Sequence, residues 1–187
     1  MTIGTMDIYL LAIIVAALVG GFFWGAVRSL TLLAAWLLAF VIGAYLQLQL
    51  GSYLAGQWTN YLSSFSEMAA FGVIYMGILL AAPILILAST KGTQQFFAHQ
   101  ALDDVTGALV AVAVAVLGIA GLMIVLATFY GSGEPFVDPA GGPAWTAQLY
   151  QSLVDSTIGG AIAERLIPVL GAILGPILPP DVSAVMV

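Results

Sequence analysis

Long apolar runs separated by short polar breaks dominate the chain. Four runs reach spanning length, roughly Ile8–Trp24, Leu30–Leu48, Met68–Ala88 and Val105–Tyr130. About 20 apolar residues are needed to cross the hydrocarbon core as a helix. Inside lipid each run has to satisfy its own backbone groups, so each is predicted to be a transmembrane helix. The first run is the shortest and borrows Asp7 or Gly25 at its ends.

The breaks carry their own signals. Between Gly51 and Glu67, Tyr53, Trp58, Tyr61 and Phe65 alternate with polar residues, as in an aromatic belt at the membrane surface. Ser64-x-x-Glu67 fits a capping box opening the third run, and Pro83 predicts a kink late in it. Lys91 to Asp104 is the most polar stretch, and Asp103 and Asp104 directly precede the fourth run, where carboxylates favour a helix N-terminus. A turn-rich linker, GSGEPFVDPAGGP, follows Tyr130. Beyond it Trp145, Leu149, Leu153, Ile158, Ile162, Leu166 and Leu170 recur at mostly four-residue steps. Gln148, Gln151, Ser152, Asp155 and Glu164 occupy the opposite side. This is an amphipathic helical pattern, interrupted by Gly159-Gly160 and Pro168, at which bends are expected. Leu166 to Leu178 reads as too short and too proline-broken to span, hence interfacial or shallowly re-entrant. The expected fold is therefore an all-α membrane protein. Residues 1–130 form a bundle of four transmembrane helices, and residues 131–187 form a linker and an amphipathic, kinked helical tail.

Composition makes the membrane reading firm. The chain of 187 residues is 62% hydrophobic and only 6% charged, with a mean hydropathy of +1.13. Soluble domains carry about a quarter charged residues. A net charge of −6 excludes a nucleic-acid partner, which needs a basic face. The absence of cysteine removes disulfides, thiolate nucleophiles and Cys-ligated metals. With no basic residues before its first apolar run, the N-terminus reads as a retained helix rather than a cleaved signal.

The three basic residues are Arg28, Lys91 and Arg165. Four spans place Arg28 and Lys91 on one side, which the excess of basic residues in cytoplasmic loops assigns to the cytoplasm. Both termini then lie outside, with Glu67, Glu134, Asp138, Asp155, Glu164 and Asp181. Arg165 is the exception and can pair with Glu164. Arg28 has two readings: an orientation anchor snorkelling to headgroups, or a functional charge at the mouth of a helical hairpin.

Gly21-x-x-x-Gly25 lets a neighbouring backbone approach closely, and Gly107, Ala111 and Ala115 form a longer small-residue stripe in the fourth run. The two stripes predict tight partners for the first and fourth helices. Asp7, then Gly21-x-x-x-Gly25-x-x-Arg28, then a second run with Trp36 and Phe40, resembles the opening of the colicin V production protein family. Members commonly open with an aspartate and carry a hairpin of the form G-F-x-x-G-F-V-R-E. Leu102-Asp103-Asp104-Val105-Thr106-Gly107 resembles a second family block, L-D-R-x-x-G-x-x-x-G, and Leu149 to Val154 and Pro179-Pro180 resemble its tail. Phe23 and Trp24 replace basic residues, Ser29 a glutamate, Asp104 an arginine and Ala111 the second glycine. The expected cytoplasmic face is correspondingly less basic.

Little in the chain points to catalysis. His99 with Asp103 four residues on would share a helical face, as a weak two-ligand site or proton relay, or simply as a solvated polar pair. No Ser–His–Asp arrangement and no phosphate loop is present, and the runs carry no ionisable residue away from their ends. Neither a cofactor nor a metal is implied. The resemblance implies a non-enzymatic inner-membrane component supporting toxin export or envelope homeostasis. The competing classes are a structural subunit of a larger, energy-transducing membrane complex and an oligomeric channel. The lipid bilayer and either other membrane proteins or further copies of this chain are the expected partners, contacted through Arg28, Lys91, Asp103 and Asp104.

Overall fold

The computed structural model describes residues 4–89, 99–131 and 143–186, and among them every regular element is helical. Lys91 and linker residues 132–142, with Glu134 and Asp138, lie outside the described residues. Helix α1, Thr5–Gln57, is broken at Gly25, whose φ of 73° and ψ of 175° are open only to glycine. Helices α2, Ser63–Ser89, and α3, Gln100–Tyr130, complete the bundle.

The break at Gly25 reverses the chain. Before it, Gly21 lies against Gly107 and Ala111, while Gly25 itself meets Asp103, so the first arm runs antiparallel to α3. After it, Ala26 lies at Asp103 and Trp36 reaches Tyr75, which in turn bonds Gly118, so the second arm runs parallel to α3. One residue serves as the whole hairpin turn. Thr5–Gln57, Ser63–Ile86 and Gln100–Tyr130 are long and apolar enough to cross a membrane, and folding the first of them in two supplies four spans.

One detail departs from the sequence pattern. The second arm continues past Leu48 to Gln57, so much of the expected aromatic surface segment is helix. Gly51 permits this extension, because a Cβ there would lie 2.7 Å from Glu67 Cα, and only a glycine lets α2 start so close. Helix α2 contains Pro83 and ends at Ser89, one residue past the expected span.

The core is built on aromatic rings between the second arm and α2. Trp36 stacks on Phe40 at 5.7 Å and 14°, and Phe40 packs on Phe71 at 5.5 Å. Trp36 Nε1 donates to the Tyr75 hydroxyl at 2.9 Å, and that hydroxyl donates to the Gly118 carbonyl at 3.0 Å. A low-dielectric interior makes an unpaired donor costly. Tyr75→Phe, which strands the indole N–H, is therefore expected to cost about 1 kcal/mol, read as a lower melting temperature in detergent. Trp36→Phe in the same background should then cost less than it does alone.

Beyond the linker, α4, Ala144–Asp155, packs on the end of α3, where Tyr150 stacks on Tyr130 at 5.8 Å. The tail continues as α5, Thr157–Ile177, and a short α6, Pro180–Ser183. Around the expected bend positions, Gly159-Gly160 and Pro168, the chain stays helical, with a π turn just ahead of the proline. Helical backbone is interrupted earlier, at Ser156, an extended residue whose Oγ accepts the Gly159 N–H at 3.0 Å and caps α5. Gly159 instead provides clearance, since a Cβ there would lie 1.9 Å from the Leu153 carbonyl oxygen. Ahead of Pro168 the helix widens to a π turn over Ile162–Leu166, with Ile167 N–H bonded to Ile162 O. That wide turn lets the helix run on past the missing proline donor.

As a result Leu166–Leu178 is not an isolated short segment. It belongs to a 21-residue run that length and composition alone would allow to span. Its attachments place it otherwise. Ile158, near its start, donates its N–H to Asp7 Oδ1, and at its end the Ile177 carbonyl accepts from the Tyr45 hydroxyl. Counted from Gly25 at 1.5 Å per residue, Asp7 and Tyr45 stand about 27 and 30 Å along their arms. Both ends of α5 are tied at nearly one height, so it lies across that end of the bundle. Across the tail as a whole, Leu153, Ile162, Leu170, Leu174, Leu178, Val182 and Met186 are buried, while Asp155, Glu164 and Arg165 are exposed.

Candidate functional site at the hairpin junction

The most constrained place in the molecule is where the α1 hairpin meets the start of α3. A Cβ on Gly107 would stand 2.5 Å from the Gly21 carbonyl oxygen and 2.5 Å from the Gly25 carbonyl carbon. A Cβ on Gly21 would stand 2.4 Å from Ala111 Cβ. Gly21, Gly25, Gly107 and Ala111 are thus pressed on one another, backbone against backbone. Ala115 lies farther along α3, half-buried, on the wall of a lateral groove.

Asp103 closes the junction. Its side chain is buried, and Oδ2 accepts the Ala26 N–H at 3.3 Å. Ala26 opens the second arm, so its N–H has no helical carbonyl to bond. The carboxylate thus lies in the first turn of its own helix and also caps another helix 77 residues away in sequence. His99 immediately precedes α3 and is exposed, whereas the Asp103 side chain is buried. Asp104, one residue round the helix, is half-exposed, as is Arg28 on the second arm. Among the described residues no three His, Cys, Asp or Glu side chains group as a metal site.

The far end of the bundle repeats the device. Asp7 Oδ2 accepts the Gly4 N–H at 3.0 Å at the start of α1, while Oδ1 accepts Ile158 N–H at 2.9 Å at the start of α5. One carboxylate again serves two helix N-termini. Asp7→Ala should release the tail, and trypsin should then cut after exposed Arg165 severalfold faster in detergent, with cleavage after Arg28 unchanged. Equal rates at Arg165 would show that the tail is held without Asp7.

Sequence reasoning noted Ser29 only as a replacement for a family glutamate and gave Gly43 and Gly51 no packing role. Ser29 is fully buried and its Oγ has no hydrogen-bond partner among the described residues. A Cβ on Gly43 would lie 2.8 Å from Phe71, so Gly43 and Gly51 carry the contact between the second arm and α2. Their eight-residue spacing on one helix face was the available signal.

The two blocks that resemble a known family, Gly21 to Arg28 and Leu102 to Gly107, are thus a single piece of structure. The family model of the colicin V production protein matches residues 6–157. The chain belongs to the colicin V production protein family. Nothing matches among curated proteins or solved structures. The matched span runs from the first turn of α1 to the first residue of α5. It therefore takes in both aspartate clamps up to the residue before Ile158. Within this colicin V production protein fold, the junction residues are shared between a hairpin tip and the base of α3.

Proposed function

We propose that the protein is a non-enzymatic component of the bacterial inner membrane that supports toxin export or envelope homeostasis. The observation that carries this reading is the junction itself, in which two family blocks interlock and spend their polar group on a backbone cap. A carboxylate held this way serves architecture, and what it meets on the hairpin tip is the backbone of Gly25 and Ala26. The Arg28 end faces the cytoplasm in this reading, following the distribution of basic residues. Cysteines placed at exposed His99 and exposed Gln148 would then react with an impermeant reagent only at Gln148 in intact cells.

The test is a deletion strain assayed for toxin secretion and detergent resistance, complemented with wild type, Gly107→Leu or Gly77→Leu. Wild type and Gly77→Leu should restore both traits, because a Cβ at Gly77 has nothing within 4 Å, and Gly107→Leu should restore neither. Normal secretion and resistance in the deletion strain itself would overturn the proposal. A structural subunit of a larger membrane complex is the second reading, favoured by Trp145, Val169 and Ile173, large apolar side chains exposed on the tail. Blue-native electrophoresis of the intact chain and of a chain ending at Tyr130 separates the two. A large assembly lost on truncation favours the subunit, and a monomer-sized band for both removes it.

A further inference from the structure

Leu166 to Leu178 carries no polar side chain, yet much of it is on the outside. Pro168, Val169, Ala172, Ile173, Pro176 and Ile177 are exposed in adjacent pairs four residues apart, which puts them on one side of α5. Val169, Ile173 and Ile177 are 52%, 65% and 54% exposed. Exposed Glu164 and Arg165 stand one turn before this patch, and exposed Asp181 follows it. The apolar patch between them is about 14 Å long.

Its level and its direction show what covers it. The bonds to Asp7 and Tyr45 hold both ends of α5 about 27 to 30 Å from the hairpin tip. With the tip, Asp103 and Asp104 at one surface, that level is the other surface of a ~30 Å hydrocarbon core. The second arm and α3 do not stop there. At 1.5 Å per residue, Gln57 stands about 48 Å from Gly25, and Tyr130 about 40 Å from Asp103, whose carboxylate meets Ala26. Helix α3 touches the tail at Ile162–Leu166, at Pro180–Ser183 and at Ala184–Met186. The tail is therefore held against the flank of α3, short of that helix's end, with Ile162, Leu170, Leu174 and Val182 buried on the bundle side. The exposed patch on the other side points sideways, out of the protein. Sideways at that level is lipid.

Two further features fit this seat. Tyr45, 56% exposed, bonds the Ile177 carbonyl at 2.8 Å and shares a face of the second arm with exposed Leu38. The patch is thus continuous with a lipid-facing surface, at a tyrosine of the kind that marks the membrane boundary. Pro176 has no N–H to give the carbonyl of exposed Ala172, four residues before it. Such a carbonyl has no donor in hydrocarbon but finds one among water and headgroups, so the seat is shallow.

We infer that the second half of α5 is a membrane-surface anchor, with Val169, Ile173 and Ile177 inserted at the boundary of the leaflet opposite the hairpin tip. Its partner is the lipid surface itself. Glu164 and Arg165, on the first half, stay in water. This seat does not depend on a role in export or envelope homeostasis.

The native chain has no cysteine, so a single nitroxide label can be placed at will. Full-length Ile173→Cys, Glu164→Cys and, as a reference within a span, Leu38→Cys are labelled and reconstituted in vesicles of phosphatidylethanolamine and phosphatidylglycerol. Power-saturation EPR then compares collisions with oxygen, which concentrates in lipid, and with a nickel chelate, which stays in water. The label at position 173 should favour oxygen severalfold, in the same sense as the one at 38, and the label at 164 should favour nickel. Equal nickel access at 164 and 173 would put the patch in water and overturn the inference. Shielding of position 173 from both would overturn it as well, by placing a second copy or another subunit on the patch. Should Ile173→Cys fold poorly, Val169→Cys on the same face gives the same reading, and a label there open to nickel would equally sink the anchor.

Discussion

Gly107→Leu should lower the melting temperature of the detergent-solubilised protein by roughly 10 °C, on an overpacking cost of about 3 kcal/mol. The cost is large because the atoms in the way are backbone: Gly21 O and Gly25 C at 2.5 Å and Gly25 Cα at 2.8 Å. A side-chain neighbour could swing aside, whereas these atoms move only if the hairpin tip moves. Even Gly107→Ala should be clearly destabilising. Gly77→Leu is the control, since that position meets nothing within 4 Å and gains a better helix former. Equal melting temperatures for wild type and Gly107→Leu would mean that the hairpin and α3 do not meet at this point.

Gly25→Ala should be the next most damaging small change, for two separable reasons. The φ of 73° with ψ of 175° costs a non-glycine residue about 1–3 kcal/mol. A Cβ would also approach Asp103 Oδ2 to 2.4 Å. Asp103→Ala alone should cost about 0.5–2 kcal/mol, the worth of a lost helix cap. In the double variant the clash disappears and only the backbone strain and the lost cap remain. The two changes should therefore combine to about 1 kcal/mol less than their sum. Strict additivity in chemical-denaturation or thermal measurements would remove the contact between Gly25 and Asp103. Gly20→Ala, five residues earlier and free of contacts within 4 Å, should change little.

The spans were legible because lipid imposes one rule on every backbone group, and hydropathy alone then finds Ile8–Trp24 or Val105–Tyr130 to within a few residues. The small-residue spacing of Gly21, Gly25, Gly107 and Ala111 was equally visible, because close helix approach admits few side chains. What paired with what was not visible. Nothing local to Asp103 says that its carboxylate caps Ala26, and nothing local to Asp7 says that it holds Ile158. Those bonds join residues 77 and 151 positions apart, and a periodicity reading sees only neighbours. The break in the tail's helical backbone is hidden in the sequence for a local reason. Gly159, Gly160 and Pro168 usually interrupt helices, but here the glycines sit in crowded packing and a π turn precedes the proline. Ser156, where the helical backbone breaks, looks ordinary in sequence because serine is equally at home capping a helix or facing water. The second-arm glycines Gly43 and Gly51 escaped notice because their spacing is longer than the four-residue step that marks a single close contact.

The clamp between Asp103 and Ala26 also sets an order of events during synthesis. The ribosome completes the hairpin tip long before it reaches residue 103. At about 5–20 residues per second, the 77 intervening residues take roughly 4–15 s. Throughout that interval the first amide of the second arm has no carboxylate, and the Gly21 face of the first arm lacks Gly107 and Ala111. The hairpin therefore enters the bilayer as an open clasp, and arrival of α3 fastens it. Asp7, among the first residues made, waits longer still for Ile158. Assembly thus closes at the hairpin tip first and at the tail last, and a nascent chain released before Asp103 carries both clasps open.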